Sequence, residues 1–379
     1  MCPNGKRETA NILTFALNYA LCMKNCALKR NHAFDFLCGL CILRMILLHV
    51  VSTCGLRGEF WFGKLMAWSF FFMSFFFFKA GYFNKGIVGD LRLYFTDRVK
   101  RLLIPYLAWG AIGSAIFFSF LCFVPRLHPS LDRLHWEHIY QVSHFWGNPP
   151  CWFLFSFFTA YILFGLANRL RLQRLLGLLS LTFPALSYWL YTQGNPLWLS
   201  LNNVFMGVFF FQLGRWWRML QGSVERGTAH IGPLRLTHRW LTAFSLLLIL
   251  LFLVGNRMYH GEYDMSLNKW VQRPWGAGIN TVCALVGFSG LLLSLPQRRI
   301  PVINFIGEHS MVFFVLHYPL IHLYRLTHLS FGHGIRGHWD FAILLLLIIF
   351  SICTWLVPHI ERIPWLSGRW KQKPAPTQP

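Results

Sequence analysis

The stretch FDFLCGLCILRMILLHVVSTC, Phe34 to Cys54, decides the fold of this chain. It is apolar and long enough to cross, as a helix, a hydrocarbon core about 30 Å thick, yet it contains Asp35, Arg44 and His49. Arg44 lies nine residues beyond Asp35, which is about 14 Å along a helix and near the middle of such a core. A charged side chain at this depth costs about 3 kcal/mol or more. We therefore expect Arg44 to face protein or a water-filled cavity.

The rest of the chain has the same apolar character. Of its 379 residues, 55% are hydrophobic and only 13% are charged, which is too little polar material to cover a soluble globule. We predict an all-α fold, a polytopic membrane helix bundle, and interpret the phenylalanine-rich run SFFFMSFFFF as lipid-facing. About ten transmembrane helices are predicted, at about 34–54, 61–82, 102–124, 151–167, 175–193, 197–216, 240–255, 275–295, 302–325 and 340–357.

The net charge of +22 follows the predicted topology. With the N-terminus in the cytoplasm, 24 of the 35 Lys and Arg residues fall in cytoplasmic segments, 8 on the opposite side and three within spans. This excess is the positive-inside pattern, which places both termini in the cytoplasm. We expect a multi-pass protein of the cell (inner or plasma) membrane. The basic charge is then explained by topology and by attraction to the lipid bilayer, and nucleic acid is not expected as a partner.

The ionisable residues within the predicted spans divide into two groups. Lys64 and Lys79 fall near opposite ends of the second span, where their side chains can reach the headgroups, and we interpret both as snorkelling residues. His49 and His317 lie deep in the first and ninth spans, and since both spans run outward we predict the two imidazoles at similar depth. Pro319 leaves the carbonyl near Val315 without its helical partner. A polar side chain beside such a break is typical of a cavity inside a helix bundle.

Several motifs resemble, in order along the chain, those of the acyltransferase 3 family of multispanning membrane acyltransferases. FDFLCGLCILRMILLH is similar to the family's opening motif, which has an Asp, a basic residue and a His eleven positions after it. FFFMSFFFFKAGYF, RVKRLLIPYLAW, PPCWFL and INFIGEHSMVFFVLHYPLI resemble later motifs. The resemblance covers about 34 to 357, and it implies a cytoplasmic N-terminal extension (1–32), an acyltransferase-like transmembrane domain (33–358) and a cytoplasmic C-terminal tail (359–379).

The resemblance implies transfer of an acyl group, acetyl in our interpretation, from cytoplasmic acyl-CoA to a hydroxyl of a carbohydrate or lipid-linked glycan. His49 matches the motif His and suits the role of base, because imidazole has a pKa near the required value. Acyl-CoA is expected as a donor substrate, with no permanently bound cofactor and no metal site. The candidate catalytic residues are Asp35, Arg44, His49 and His317, and the candidate donor-binding residues are Arg98, Lys100 and Arg101.

One position departs from the family pattern. Eleven residues before His49, where the family has a basic residue, this chain has Cys38, whose neutral thiol cannot supply a fixed positive charge. Arg44 follows six residues later and points about 120° away from the Cys38 face of the helix. Three alternatives remain open: Arg44 acts from another angle, Arg98 and Arg101 suffice, or transfer has been lost. In the last case the protein is a transporter or exporter of a glycan or lipid-linked intermediate.

Overall fold

The computed structural model describes most of the chain, and from Ala33 onward its described residues form one compact unit. The described residues are 31–84, 90–123, 139, 141, 143–231, 234–259, 262–271, 274–296, 298–330 and 337–370. The first half contains α1 (His32–Thr53), α2 (Phe60–Trp68), α3 (Phe72–Phe83), α4 (Leu91–Arg98), a π-helical turn (Val99–Leu103), α5 (Ile104–Phe123), a 3-10 turn (Pro149–Cys151), α6 (Trp152–Arg169), α7 (Gln173–Ser180) and α8 (Phe183–Thr192).

The second half adds seven helices and two short antiparallel hairpins to this described part of the chain. In order they are α9 (Leu201–Glu225), β1 (His230–Ile231), β2 (Leu234–Arg235), α10 (His238–Tyr259), β3 (Glu262–Asp264), β4 (Lys269–Val271), α11 (Pro274–Ser294), α12 (Pro301–Glu308), α13 (Ser310–Ser330), α14 (Trp339–Ile360) and α15 (Pro364–Ser367). Each of the ten predicted spans coincides with one of these helices or with a consecutive pair.

Seven spans within the described residues are long and apolar enough to cross a membrane. They are His32–Thr53, Phe60–Phe83, Leu91–Ser119, Pro149–Arg169, His238–Met258, Pro274–Ser294 and Trp339–Ile360, and α7 with α8, bent by 53°, makes an eighth if the pair is one span. Helices α9 and α13 also match predicted spans, but side chains such as Arg215, His317 and Arg325 lower their hydropathy. The polytopic helical bundle is confirmed, and the number ten stays a prediction.

The α3 and α9 helices pack closely against each other. The backbones approach so closely that a Cβ on Gly81 would overlap the Phe211 carbonyl, and one on Gly214 would overlap the Phe78 carbonyl. Small residues at a helix crossing permit this kind of packing in membranes. Phe75, Phe77 and Phe78 are fully buried here, so the interpretation of the phenylalanine-rich run as lipid-facing was wrong for these three side chains. They form core rather than lipid-facing surface.

Helix α1 packs along α12 and α13. A Cβ on Gly307 would overlap the Asp35 carbonyl, and a Cβ on Gly39 would overlap the Ile303 carbonyl. This close approach fixes the position of the first turns of α1 along the axis of α12. Because α13 follows α12 after a single residue, the same packing sets the relative height of the side chains farther along α1 and α13.

Part of the predicted C-terminal tail packs on the bundle. After α14, the Leu366 carbonyl accepts a hydrogen bond from Trp109 Nε1 over 2.9 Å, and Trp370 Nε1 donates to the Lys100 carbonyl over 2.9 Å. Arg369 pairs with Glu361, whose other oxygen lies 2.6 Å from His309 Nδ1. Residues 361–370 therefore connect α5, the π-helical turn and the junction between α12 and α13.

Candidate active site

Two imidazoles meet where α1 lies against α13. The ring centroids of His49 and His317 are 5.3 Å apart, and the rings are tilted by 35°. His49 also makes an edge-to-face contact with Tyr318, with a centroid distance of 5.2 Å. The similar depth predicted from the direction of the two spans is therefore confirmed by contact.

The surroundings of His317 define which of its nitrogens carries a proton. Its side chain is completely buried, and Nδ1 lies 2.6 Å from the Phe314 carbonyl oxygen. A carbonyl can only accept, so Nδ1 carries the hydrogen, and in the neutral ring Nε2 holds the lone pair. Among the described residues Nε2 has no hydrogen-bond partner. The position of the proton on this ring is thus set by its own helix backbone.

A cavity of about 620 Å³ opens beside His49. This volume lies within the range of about 300–1,000 Å³ that is usual for small-molecule sites. Its wall is apolar over most of its extent and carries a few converging polar groups, as substrate sites do. His317 does not line the cavity but supports His49 from within the protein. The polar lining side chains are Arg44, His49, Arg57, His144, Tyr263, Asp264, Ser266 and Tyr318.

Arg44 faces this cavity, as expected from the cost of its charge in the first span. Its Nε donates to Ser69 Oγ over 3.3 Å, and its guanidinium carbon lies 3.9 Å from the centre of the Phe72 ring. Ser69 lies between α2 and α3, where the second span is interrupted. The interruption therefore supplies a hydroxyl acceptor and an aromatic face to a cation deep in the bundle.

The hairpin β3–β4 closes one side of the cavity. Residues 263–267 contribute to its lining, and Asn268 ties the hairpin to α8. Asn268 Oδ1 accepts from Ser187 Oγ over 2.5 Å and from the Tyr263 hydroxyl over 3.0 Å, while its Nδ2 donates to the Ser187 carbonyl over 3.0 Å. Burial raises the pKa of Tyr263, so its hydroxyl remains a donor. These bonds hold the hairpin in place, and no local pattern in the sequence indicated it.

The carbonyl freed by Pro319 has a specific partner. Asn148, which is completely buried just before the PPCW motif, donates from Nδ2 to the Val315 carbonyl over 3.0 Å. The same amide lies 3.4 Å from the Trp109 carbonyl. The carbonyl that Pro319 leaves free is therefore bonded by Asn148, and the Asn148 amide connects α13 to α5 beside the histidine pair. In the sequence, the only indication of this contact was a polar residue, Asn148, directly before the PPCW motif.

The position where the chain departs from the family pattern has a cation beside it. Lys79 Nζ donates to Cys38 Sγ over 3.0 Å, and Lys79 is half-buried. The snorkelling interpretation of Lys79 was therefore wrong. Cys38 lies six residues into α1 and Lys79 four residues before the end of α3, so two helices of opposite direction bring them to similar depth. The similar depth of the two residues could have been inferred from these residue counts in the sequence.

The three candidate donor-binding residues lie at the π-helical turn, away from the histidines in the chain. Arg98 stacks on Tyr161, with 4.5 Å between guanidinium carbon and ring centre, and lies 3.5 Å from Asp97. Arg101 Nε is 2.6 Å from Asp97 Oδ1. Lys100 lies 5.4 Å from the Trp370 ring. Asp97 thus offsets part of the charge of the arginine pair, while the π-helical turn is a feature common at functional sites.

Asp35 is the one candidate catalytic residue that does not join the histidine site. It is buried near the start of α1, fourteen residues before His49 and so about 21 Å away along the helix. It does not line the cavity at His49. Arg44, His49 and His317 are brought together, whereas Asp35 is placed at the contact with α12.

Apolar helices around a cavity that bears imidazole and guanidinium groups define a multi-pass membrane protein with a polar cavity inside the bundle. The family model described as Acyltransferase domain matches residues 31–358. The chain therefore belongs to this acyltransferase 3 family and is a membrane acyltransferase in its general class. No curated protein and no solved structure matched the chain.

Proposed function

We propose that the protein transfers an acyl group, acetyl in the first instance, from cytoplasmic acyl-CoA to a hydroxyl of a carbohydrate or lipid-linked glycan. The observation that carries this proposal is His49 on the wall of a 620 Å³ cavity, with His317 in contact behind it. The cavity has the size and lining of a substrate site. The membrane in which this takes place is the inner or plasma membrane.

The reaction needs a base, and His49 supplies it. A ring nitrogen of His49 takes the proton from the acceptor hydroxyl as the hydroxyl oxygen attacks the thioester carbonyl carbon. The tetrahedral intermediate then collapses: the carbon–sulfur bond breaks, and the leaving sulfur takes the proton from His49. The products are the acyl ester and the free thiol of coenzyme A. Arg44, which lines the same cavity, stabilises the negative charge on the intermediate's oxygen.

His317 positions His49 in this scheme. Its Nδ1–H is held by the Phe314 carbonyl, so its Nε2 faces away from that bond and can accept from the N–H of His49. Catalytic hydrogen bonds are often long before substrate binds and tighten in the complex. Such a bond orients the reacting nitrogen of His49 and stabilises the imidazolium that forms when it takes the proton.

Lys79 supplies the positive charge that the family pattern places at position 38. Its ammonium group contacts the Cys38 thiol, so a cation occupies the same space although it comes from α3 rather than α1. On this basis the departure at Cys38 relocates the charge and does not remove it. Donor binding by Arg98, Lys100 and Arg101 stays a prediction, and their pairing with Asp97 leaves the two arginines only part of their charge for phosphates.

The proposal is tested by mass spectrometry of envelope glycans and lipids from cells with and without the gene, and from cells carrying His49→Ala. The expected result is loss of one acyl-sized mass increment in both. His49→Gln serves as a second variant, because it keeps a polar side chain of similar size without a titratable nitrogen. Altered glycan export with unchanged acylation would instead support the transporter alternative and overturn the transferase.

A further inference from the structure

Three arginines line a separate cavity between the ends of α3 and α9. Arg215, Arg218 and Arg226 face a space of about 390 Å³ that is bounded on the other side by Gly81, Tyr82 and Asn84. Both helices end here at the side that the positive-inside pattern assigns to the cytoplasm. No motif in the sequence analysis pointed to this cavity.

The guanidinium groups have few partners of their own. Arg218 donates to the Tyr82 carbonyl over 2.9 Å, Arg226 to Ser223 Oγ over 3.4 Å and Arg215 to Gln212 Oε1 over 3.5 Å. A guanidinium has five N–H donors, so most of these donors have no hydrogen-bond partner among the described residues. None of the three forms an ion pair with a carboxylate in the described part of the chain.

The charge balance of the cavity favours an anion. Glu225 is the single carboxylate in its lining, and it is engaged with Gln221 Nε2 at 3.3 Å. Three arginines against one glutamate leave an excess of two positive charges. This contrasts with the π-helical turn, where Asp97 lies within ion-pair distance of both Arg98 and Arg101. Arginine forks match the oxygen geometry of phosphate and bind it in bidentate fashion.

We propose that the cavity of Arg215, Arg218 and Arg226 binds the phosphate groups of a phosphorylated ligand from the cytoplasmic side. Two ligands share this chemistry there: coenzyme A, whose phosphates would be held while the acyl arm extends into the bundle, and the headgroup of an anionic lipid of the inner leaflet. The coenzyme A case rests on the proposed function, whereas the lipid case does not.

The cavity wall is continuous with the first helix of the site. Phe34, near the start of α1, packs on the Tyr82 ring with 4.7 Å between centroids, and Tyr82 OH donates to Gln221 Oε1 over 2.7 Å. Lys79 precedes Tyr82 by three residues on α3. A ligand bound at the arginines would therefore lie within about one helical turn of the cation at Cys38, on the approach to the cavity from the cytoplasm.

The experiment measures ligand binding to the purified full-length protein, without acceptor, so that its outcome does not depend on whether transfer occurs. Coenzyme A and inorganic pyrophosphate are titrated calorimetrically into protein in phosphatidylcholine nanodiscs. In parallel, native mass spectrometry measures phosphatidylglycerol retained from mixed nanodiscs. The variants are Arg226→Gln, Arg218→Gln/Arg226→Gln and the corresponding lysine substitutions. Arg174→Gln, an exposed arginine of α7 outside the cavity, is the matched control.

The expected result is at least a tenfold loss of affinity for one ligand in the double glutamine variant, a smaller loss in the lysine variants and none in the control. Loss for coenzyme A and pyrophosphate identifies the donor as the ligand, and loss of phosphatidylglycerol alone identifies the lipid. Arg226 is exposed and bonds within its own helix turn, so Arg226→Gln keeps the test valid if the double variant does not fold. Unchanged binding of all three ligands in the folded variants would overturn the proposal.

Discussion

Replacing Lys79 by methionine tests whether this lysine supplies the charge missing at position 38. Methionine keeps the unbranched apolar stem and removes the ammonium group, whose Nζ lies 3.0 Å from Cys38 Sγ in a half-buried position. A hydrogen bond to a charged group contributes about 1.5–3 kcal/mol. If that much stabilises the bound donor, kcat/KM falls by about 10- to 150-fold, since each 1.4 kcal/mol is a factor of ten.

The assay follows release of coenzyme A thiol from acetyl-CoA by proteoliposomes supplied with an envelope glycan extract. Lys64→Met is the matched control, because Lys64 lies in the same interrupted span but is exposed. Its Nζ lies 5.3 Å from the centre of the Phe60 ring. The exchange variant Cys38→Lys/Lys79→Cys restores the family's arrangement with unchanged total volume, and it is expected to recover activity. Full activity of a correctly folded Lys79→Met protein would refute the reasoning.

Three further substitutions test the parts that hold the site together. His317→Phe keeps an aromatic ring but removes the ring nitrogens, of which Nε2 is the proposed acceptor from His49, so we expect at least a tenfold lower kcat at an unchanged Tm, measured with the same assay and by thermal unfolding. Asn268→Ala removes the side chain that accepts from the Ser187 and Tyr263 hydroxyls and donates to the Ser187 carbonyl. The cost is about 1–3 kcal/mol for each buried group left unsatisfied, which should lower Tm and raise KM for the acceptor; an unchanged Tm contradicts this. Asn148→Ala removes the hydrogen-bond donor to the Val315 carbonyl, and urea unfolding in detergent should show that the free energy of unfolding falls by about 1–3 kcal/mol.

The sequence predicted the membrane bundle because hydropathy over about twenty residues is a local property. It also predicted that His49 and His317 share a depth, since depth follows from span direction and residue count. It could not predict which side chains touch across helices. Lys79 near a span end satisfies the snorkelling pattern, and only the packing of α1 on α3 shows that its ammonium group turns inward to Cys38.

The polar wall of the cavity escaped prediction for a different reason. The hairpin β3–β4 has strands of three residues, too short for an alternating pattern to be recognised. Its position depends on Asn268, Asn195 and Asn203, which are ordinary loop or helix residues until they meet. Nδ2 of Asn203 donates to the Ser266 carbonyl over 3.1 Å, and Nδ2 of Asn195 to the Leu267 carbonyl over 2.8 Å. These bonds are long-range, and no local spacing contains them.

The positions of Cys38, Arg44 and His49 along α1 predict different roles for Lys79 and Arg44. Cys38, with Lys79 beside it, precedes His49 by eleven residues, or about 16 Å, whereas Arg44 precedes it by five residues, or about 7.5 Å. In the proposed mechanism Lys79 is therefore too far away to touch the carbonyl that is attacked at His49, and its proposed role is in the approach of the donor. Arg44 shares the cavity with His49. We expect Lys79→Met to act mainly by raising KM for acyl-CoA, and Arg44→Met to act mainly by lowering kcat. Steady-state kinetics with each substrate varied separate the two effects, and the opposite assignment would show that the reacting carbonyl lies near Cys38 rather than near His49.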